Sequence, residues 1–327
     1  MRVARAVWIA LSPYHALPPA GRRIPATLLW ITFMVFALPA AAQEGTTDIK
    51  AVSLEQLGNI QVYGASKHLQ STSDAPSSVT VISADEIQRY GYRTLADILE
   101  SVRGFYMTSD RLYSYVGVRG FARLGDWNTR ILLLVDGHRI NSNVTGQAML
   151  GTEFPVDVDL IERVEIIRGP SSSLYGADAF FAVINVITRK SPQLKGVELS
   201  FAPASFGTFD GRASYGGRYK GMDILLSGTF YDSQGQTLFY PQFDSPATNN
   251  GVTRNTDYEN SQHILATISF RGFTLQGLFS ERDKGVPTAF YGGLFNDPRS
   301  QSFDNQQYLD LSYQHSIACL LYTSPSP

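Results

Sequence analysis

Residues 261–272 read SQHILATISFRG. Ile264, Ala266, Ile268 and Phe270 alternate with His263, Thr267, Ser269 and Arg271, so a strand here has one apolar and one polar face. The same grammar recurs in VELSFAPASF (197–206), DGRASYGGRY (210–219), MDILLSGTFYD (222–232), FTLQGLFSER (273–282) and QQYLDLSYQH (306–315). In the third of these, Ile224, Leu226 and Phe230 face one way and Asp223, Ser227 and Thr229 mostly the other. Short turns at Gly216-Gly217 and Arg271-Gly272 alternate with long polar loops near 233–260 and 283–304. This is the pattern of an antiparallel transmembrane β-barrel. A soluble β-sandwich alternates in the same way, but segment lengths near the ~9–11 residues of a tilted membrane strand favour the barrel.

Only about six such strands fit into residues 192–316. A further strand with its loop needs on the order of 20 residues, so the barrel is expected to be truncated. The end of the chain, IACLLYTSPSP (317–327), abandons the alternation and holds the sole cysteine, Cys319. A lone thiol forms no internal bridge, so stability must come from burial or from a membrane.

The 327 residues carry a net charge of −2 and no basic run, which argues against a nucleic-acid binder. At the start, Arg22 and Arg23 precede an apolar run from Ile24 to Leu38, and Ala40-Ala41-Ala42 supplies small residues before Gln43. That is a secretory signal with an N-terminal extension, residues 1–42. The run is short of the ~20 residues of a transmembrane anchor.

Between a polar linker (43–70) and the alternating strands lies a unit of different character, residues 71–191. PSSVTVI (76–82) is strand-like. Ser83 and Glu86 have capping-box spacing, and Gly91 supplies a stop. A second helix starts at Thr94 and Asp97, presents Leu95, Ile98, Leu99 and Val102, and ends at Gly104. YVGVRGF (115–121) is an alternating strand. ILLLVDGHRIN (131–141) holds an apolar run buried on both faces and an Asp136-Gly137 hairpin turn. IERVEIIR (161–168) and AVINVIT (182–188) complete a small mixed sheet with short helices, an α+β unit.

VEIIRGPSSSLYG (164–176) borrows the parts of a catalytic loop. A P-loop needs a lysine after its second glycine, and none follows Gly176. A nucleophile elbow needs G-x-S-x-G, and the serines after Gly169 do not meet it. No catalytic residue and no metal site is assigned. Arg168-Gly169-Pro170 reads as a turn, Ser171 as the cap of one helical turn, and Gly176 as its left-handed stop. Charged residues Glu162, Arg163, Glu165 and Arg168 on an inner strand need partners, which a polar barrel lumen would supply.

LGNIQVYGASK (57–67), APSSVTVISADEIQRYGYRTLADILESVRGFY (75–106), VGVRGF (116–121), RILLLVDGHRIN (130–141) and IERVEIIRGPSSSLYGADAFFAVINVIT (161–188) carry a specific resemblance. In order and spacing they resemble the plug domain of TonB-dependent outer-membrane receptors, nearest the cobalamin and iron-complex branch. The resemblance implies a barrel of about 22 strands with the plug in its lumen, in the outer membrane of a Gram-negative cell. It implies energy-coupled uptake of a scarce large ligand, a siderophore-iron complex or cobalamin, without a resident cofactor. The implied partners are the TonB energy-coupling complex of the inner membrane, outer-membrane lipid and an external small molecule. The rival reading is a soluble periplasmic ligand-binding or adhesion module.

The resemblance also implies a TonB box that pairs with its partner by strand addition. Asn59, Ile60, Gln61, Val62, Tyr63, Gly64 and Ala65 are the candidate, against the alternative that they are simply the first strand of the plug. For the ligand, the outer loops Tyr106–Tyr115, Ala122–Asn128 and Asn143–Gly151 offer Arg111, Tyr113, Tyr115, Arg123, Asp126, Trp127 and Asn143, charge and flat aromatic surface suited to a polar chelate or corrin. The same aromatics could instead pack against barrel wall. Arg119, Glu165 and Arg168 are expected to hold the plug to the wall or to keep its internal salt bridges.

Overall fold

The computed structural model describes residues 61–62, 70–71, 78–122 and 125–314. The signal segment, most of the linker, Arg123 and the tail at 317–327 lie outside the described residues, as do Asn59, Ile60, Tyr63, Gly64 and Ala65 of the candidate box. A short antiparallel pair, β1 (Gln61–Val62) with β2 (Gln70–Ser71), precedes the N-terminal unit.

That unit is built on a five-stranded mixed sheet. Its strands are β3 (Ser78–Ser83), β6 (Ile131–Val135), β7 (His138–Arg139), β8 (Ile161–Arg168) and β9 (Ala182–Thr188), in the spatial order β3-β8-β9-β6-β7. Only β6 and β9 run parallel. The unbroken apolar run of β6 is explained by cover on both faces. Ile131, Leu133 and Val135 join the main core with Val164, Ile166, Ile184 and Val186, whereas Leu132 and Leu134 pack with Ile167, Ala179 and Val183 on the other face.

Helices α1 (Ala84–Tyr90) and α2 (Leu95–Glu100) cover the main face through Ile87, Leu95, Ile98 and Leu99. Both begin with complete capping boxes, Ser83 with Glu86 and Thr94 with Asp97, and Gly91 closes α1 in the left-handed conformation. α2 ends earlier than its apolar spacing predicts. Ser101 Oγ donates to the Ile98 carbonyl at 2.7 Å, and Gly104 (φ +88°) belongs to the turn into the next strand.

Two further expectations are corrected here. Phe105–Ser109 forms β4, hairpinned to β5 (Ser114–Val118), so the outer loop shrinks to 110–113. The short helix α3 (Ser172–Tyr175) has no side-chain cap from Ser171, and Gly176 takes φ +92°, ψ −165°, which is not the left-handed helical stop. Ser172 Oγ instead donates to the Ala179 carbonyl, and Ser171 N to the same carbonyl, so the loop is tied to its own return.

After α4 (Ser191–Leu194) the chain enters a six-stranded antiparallel meander. Its strands are β10 (Gly196–Ala204), β11 (Thr208–Tyr219), β12 (Met222–Ser233), β15 (Glu259–Phe270), β16 (Phe273–Gly285) and β17 (Gln301–Tyr313). A two-strand pair, β13 (Leu238–Phe239) and β14 (Val252–Thr253), decorates the long loop after β12. Gly216 and Gly217 lie inside β11, and the turn falls at Lys220-Gly221. A Cβ at Gly216 would sit 2.7 Å from the Ser191 carbonyl oxygen, so this glycine lets α4 approach the sheet. The connection at Ser205–Gly207 is short although it lies on the long-loop side.

The sheet is sorted opposite to a soluble sandwich. Val197, Leu199, Leu226, Phe230, Ile264, Leu309 and Leu311 are exposed. Arg212, Ser214, Ser227, Ser261, Thr267, Gln276, Ser280, Arg282 and Lys284 are buried, on the face that meets the N-terminal unit. Aromatics gather near both strand ends, Phe201, Phe209 and Phe303 on the loop side and Tyr219, Phe270, Phe273 and Tyr313 on the turn side. An outward apolar band with aromatic girdles and a polar inner face is a membrane wall.

Candidate functional site

The loop-side face of the N-terminal unit is organised by two buried asparagines. Asn128 donates through Nδ2 to the carbonyls of Ser114 and Ala148, both at 2.9 Å, and accepts from Val116 N at 2.9 Å. Asn141 accepts from Leu133 N and donates to the carbonyls of Ile131 and Gly146. Each side chain replaces backbone partners that the irregular loops cannot give one another. Asn128 thereby joins the loop at 125–130 to β5 and to Ala148, and Asn141 joins the loop at 141–148 to β6. In sequence, polar residues of this kind look like ordinary loop residues, and nothing local announces their buried bridging role.

The candidate ligand residues separate into different environments. Arg111 takes φ +75° and is 43% exposed at its side chain, with Nη1 3.6 Å from Asp257 Oδ2 in the loop before β15. Tyr113 donates its hydroxyl to Asp304 Oδ1 at 2.8 Å and lies 3.1 Å from Ser302 Oγ, both on β17. Burial, with Asp304 adding to it, pushes the Tyr113 phenol well above its ordinary value. Tyr115 is 1% exposed and donates to Asp110 Oδ2, so it belongs to the core and leaves the ligand set. Asp126 is half-buried and accepts from Asn128 N. Trp127 is half-buried with φ +55°, beside Asp126. Asn143 is exposed and accepts from Arg139, which also grips Asp178.

Charged and polar contacts at several heights hold the unit to the wall. On the loop side, the buried Arg282 of β16 donates to Glu259 Oε1 at 2.8 Å, Asp304 Oδ2 at 2.9 Å and the Leu112 carbonyl at 2.9 Å. At mid-height, Arg212 of β11 meets Asp159 at 3.2 Å and Asp157 at 3.6 Å, and also Glu198 at 2.6 Å. Burial pushes the Asp157 carboxyl up to about 6, outweighing the Asp159 amide and Arg212. Burial likewise raises Glu153, whose Oε1 accepts from Leu150 N. On the turn side, Asp136 accepts from Thr188 Oγ1, from Lys190 Nζ at 2.9 Å and from Gln276 Nε2 of β16 at 2.7 Å. His138 stacks on Tyr308 with centroids 4.2 Å apart and meets Asp310 at 3.2 Å.

The remaining expected structural residues act inside the unit. Glu165 is fully buried and pairs with Arg163 at 2.9 Å, with Asn185 Nδ2 at 3.4 Å. Arg168 donates to the Arg103 carbonyl and to Ser78 and Thr80 of β3. These contacts lie within the unit. Arg119 is exposed with φ +53° at the β5 turn. Gly137 donates to Asn185 Oδ1, Gly169 (φ +124°) donates to the Phe181 carbonyl, and Pro170 is exposed.

Between α2, the 151–159 segment and the inner faces of β10–β12, β15 and β16 lies a cleft of about 1190 Å³. Its lining mixes Asp97, Glu153, Asp157 and Asp210 with Arg93, Arg212 and Arg282. Among the described residues no group of three His, Cys, Asp or Glu side chains is placed to hold a metal ion.

Comparison with known proteins places this architecture. Residues 71–183 match the model of the TonB-dependent Receptor Plug Domain. The chain is 34% identical over 218 residues to the vitamin B12 transporter BtuB of Vibrio vulnificus, covering 65% of this chain and 33% of that protein. It is 33% identical over 173 residues to an iron-regulated outer membrane virulence protein of Vibrio cholerae, covering 52% of this chain and 24% of that one. Among solved structures it shares the fold of FpvA of P. aeruginosa bound to a heterologous pyoverdine, with a TM-score of 0.52 at 15% identity over 78% of this chain and 34% of that one. The chain thus spans between a quarter and a third of the length of the relatives it matches.

Proposed function

We propose, from the premise that residues 71–183 are the plug domain of a TonB-dependent receptor, that this chain is the plug and first wall strands of an outer-membrane transporter. It imports a large, scarce ligand, cobalamin or a ferric chelate, with energy supplied through a TonB-type inner-membrane complex. The observation that carries this reading is the sorting of the sheet. Its apolar face is turned outward, and its charged face grips a polar-seamed plug through Arg212, Arg282 and Gln276. The names of the similar proteins, a vitamin B12 transporter and an iron-regulated outer membrane protein, support the two ligand classes.

External ligand is read by Arg111, Tyr113, Asp126 and Trp127, with Arg123 beside them in sequence and Asn143 at the margin. The coupling partner adds a strand to Asn59–Ala65, whose Gln61-Val62 already pairs as a strand with Gln70-Ser71. A barrel has no energy source of its own, so ligand binding and transport are separable.

The test is uptake of radiolabelled cyanocobalamin and of a ferric tris-catecholate by cells bearing the intact receptor. One of them should accumulate in a manner abolished by collapsing the proton-motive force. Val62→Pro removes a backbone donor needed for strand pairing and should abolish uptake while surface binding persists. Accumulation of neither probe, or uptake indifferent to the proton-motive force, would overturn the reading.

A further inference from the structure

The loop Asp110–Tyr113 is tied both locally and from the wall: Arg111 N donates to Ser109 Oγ at 3.1 Å and Asp110 N to the Tyr113 carbonyl at 3.3 Å. Arg111 sits in the left-handed region at φ +75°, which a branched-free but bulky side chain adopts at a cost. The amides of Leu112 and Tyr113 are both taken by Asp110 Oδ1, at 2.9 and 2.8 Å, and Asp110 Oδ2 accepts the Tyr115 hydroxyl. The carbonyl of Leu112 points the other way, into the wall, where Arg282 Nη2 donates to it at 2.9 Å.

Arg282 is in turn fixed by its surroundings. It is 2% exposed, its Nε is held by Glu259 and its Nη1 by Asp304, so the planar guanidinium has one orientation. Tyr113 lies against the same group, with its ring centroid 5.9 Å from the guanidinium carbon and its hydroxyl on Asp304. One wall side chain therefore sets the Leu112 carbonyl and, through Asp304, the Tyr113 ring. Arg212 is built differently, since its plug partners are the side chains of Asp157 and Asp159.

We infer that Arg282 is a positioning residue for ligand recognition: from beneath, and without reaching the outer surface, it sets the conformation in which loop 110–113 presents Arg111 and Tyr113. The inference rests on the proposed role of that loop in binding. It makes the affinity of the receptor depend on a residue of the membrane wall that contacts no external ligand.

The test reads amide hydrogen exchange in the intact receptor, purified in detergent, at Leu112 and Tyr113 and, for comparison, at Asp159 and Leu160, whose amides are held by Asp157. Arg282→Gln should raise exchange at Leu112 and Tyr113 about tenfold, the scale of one lost charge-assisted hydrogen bond. Asp159 and Leu160 should stay unchanged, and Arg212→Gln should give the reverse pattern. Arg282→Lys keeps a charge between Glu259 and Asp304, protecting the barrel fold, yet loses the fork, and should show the same pattern at smaller size. Affinity for whichever of cyanocobalamin or the ferric tris-catecholate binds should fall about tenfold in Arg282→Gln and hold in Arg212→Gln. Equal rises at both pairs of amides, or no rise at Leu112 and Tyr113 in either Arg282 variant, would overturn the assignment. Binding of neither probe by the unmodified receptor would overturn the proposed function instead, leaving the exchange result to stand by itself.

Discussion

His263 and Ile264 are neighbours in β15 and occupy opposite environments. The imidazole is 9% exposed, with Nδ1 2.9 Å from Ser280 Oγ of β16, and the isoleucine beside it is 55% exposed. In water that arrangement wastes apolar burial and costs polar desolvation. In a membrane wall it is the low-energy choice.

Ile264 stands at the middle of its strand, so a charge there would lie near the bilayer midplane. Ile264→Arg should destabilise the folded receptor by about 2–4 kcal/mol, and Phe303→Arg, near the loop end of β17, by about 0–1. Reversible unfolding in lipid or detergent measures both. A soluble sandwich would leave exposed Ile264→Arg near neutral.

The burial of Asp157, which outweighs its contact with Arg212, predicts a pH dependence of definite sign. Burial holds the Asp157 carboxyl at about 6 in the folded state, above its ordinary value of 3.8. Between these values the folded state binds more protons than the unfolded one. This site therefore contributes stability at low pH that is lost as pH rises through about 4 to 6. Protease protection of the plug, compared across that window with Asp157→Asn, should show the wild type losing more than the variant as pH rises.

Asp136 joins the plug hairpin turn to Lys190 and to Gln276 in the wall. Asp136→Ala leaves those donors and the Thr188 hydroxyl without this acceptor and should cost about 1–3 kcal/mol. Asp136→Asn keeps a residue that tolerates the φ of +49° at this turn and should cost less. Urea-dependent proteolysis of the plug orders the two.

Asn128 ties the loop at 125–130 to β5 and to Ala148. Asn128→Ala strands Val116 N and the Ser114 and Ala148 carbonyls in a buried site. It should destabilise the plug by at least about 2 kcal/mol and weaken ligand binding with it. Calorimetry and a binding titration on the same sample measure both.

The strands and helices of this protein were legible because their signals are local. Capping boxes at Ser83 and Thr94, the Asp136-Gly137 turn and the unbroken run of β6 each specify structure within a few residues. The alternation in β15 gave the two faces of the wall, and the burial of its polar face shows which one turns inward. What stayed hidden depends on residues far apart in sequence. Nothing near Tyr115 announces that Asp110 takes its hydroxyl, and nothing near Leu112 announces Arg282, 170 residues later. The turn placed at Gly216-Gly217 failed for the same reason, since Gly216 answers a close approach by α4 rather than a change of chain direction.

The central claim is that the six-stranded sheet is a membrane wall with its apolar face in lipid. Adjacent residues Ile264 and Leu265 point to opposite sides, the first outward and the second buried against the plug. Each is replaced by tryptophan in the intact receptor, reconstituted in bilayers of lipids brominated along their chains. Fluorescence from Ile264→Trp should be strongly quenched relative to the same protein in unbrominated lipid, and that from Leu265→Trp should be nearly unchanged. Equal quenching at the two positions, or quenching at 265 alone, would contradict the account.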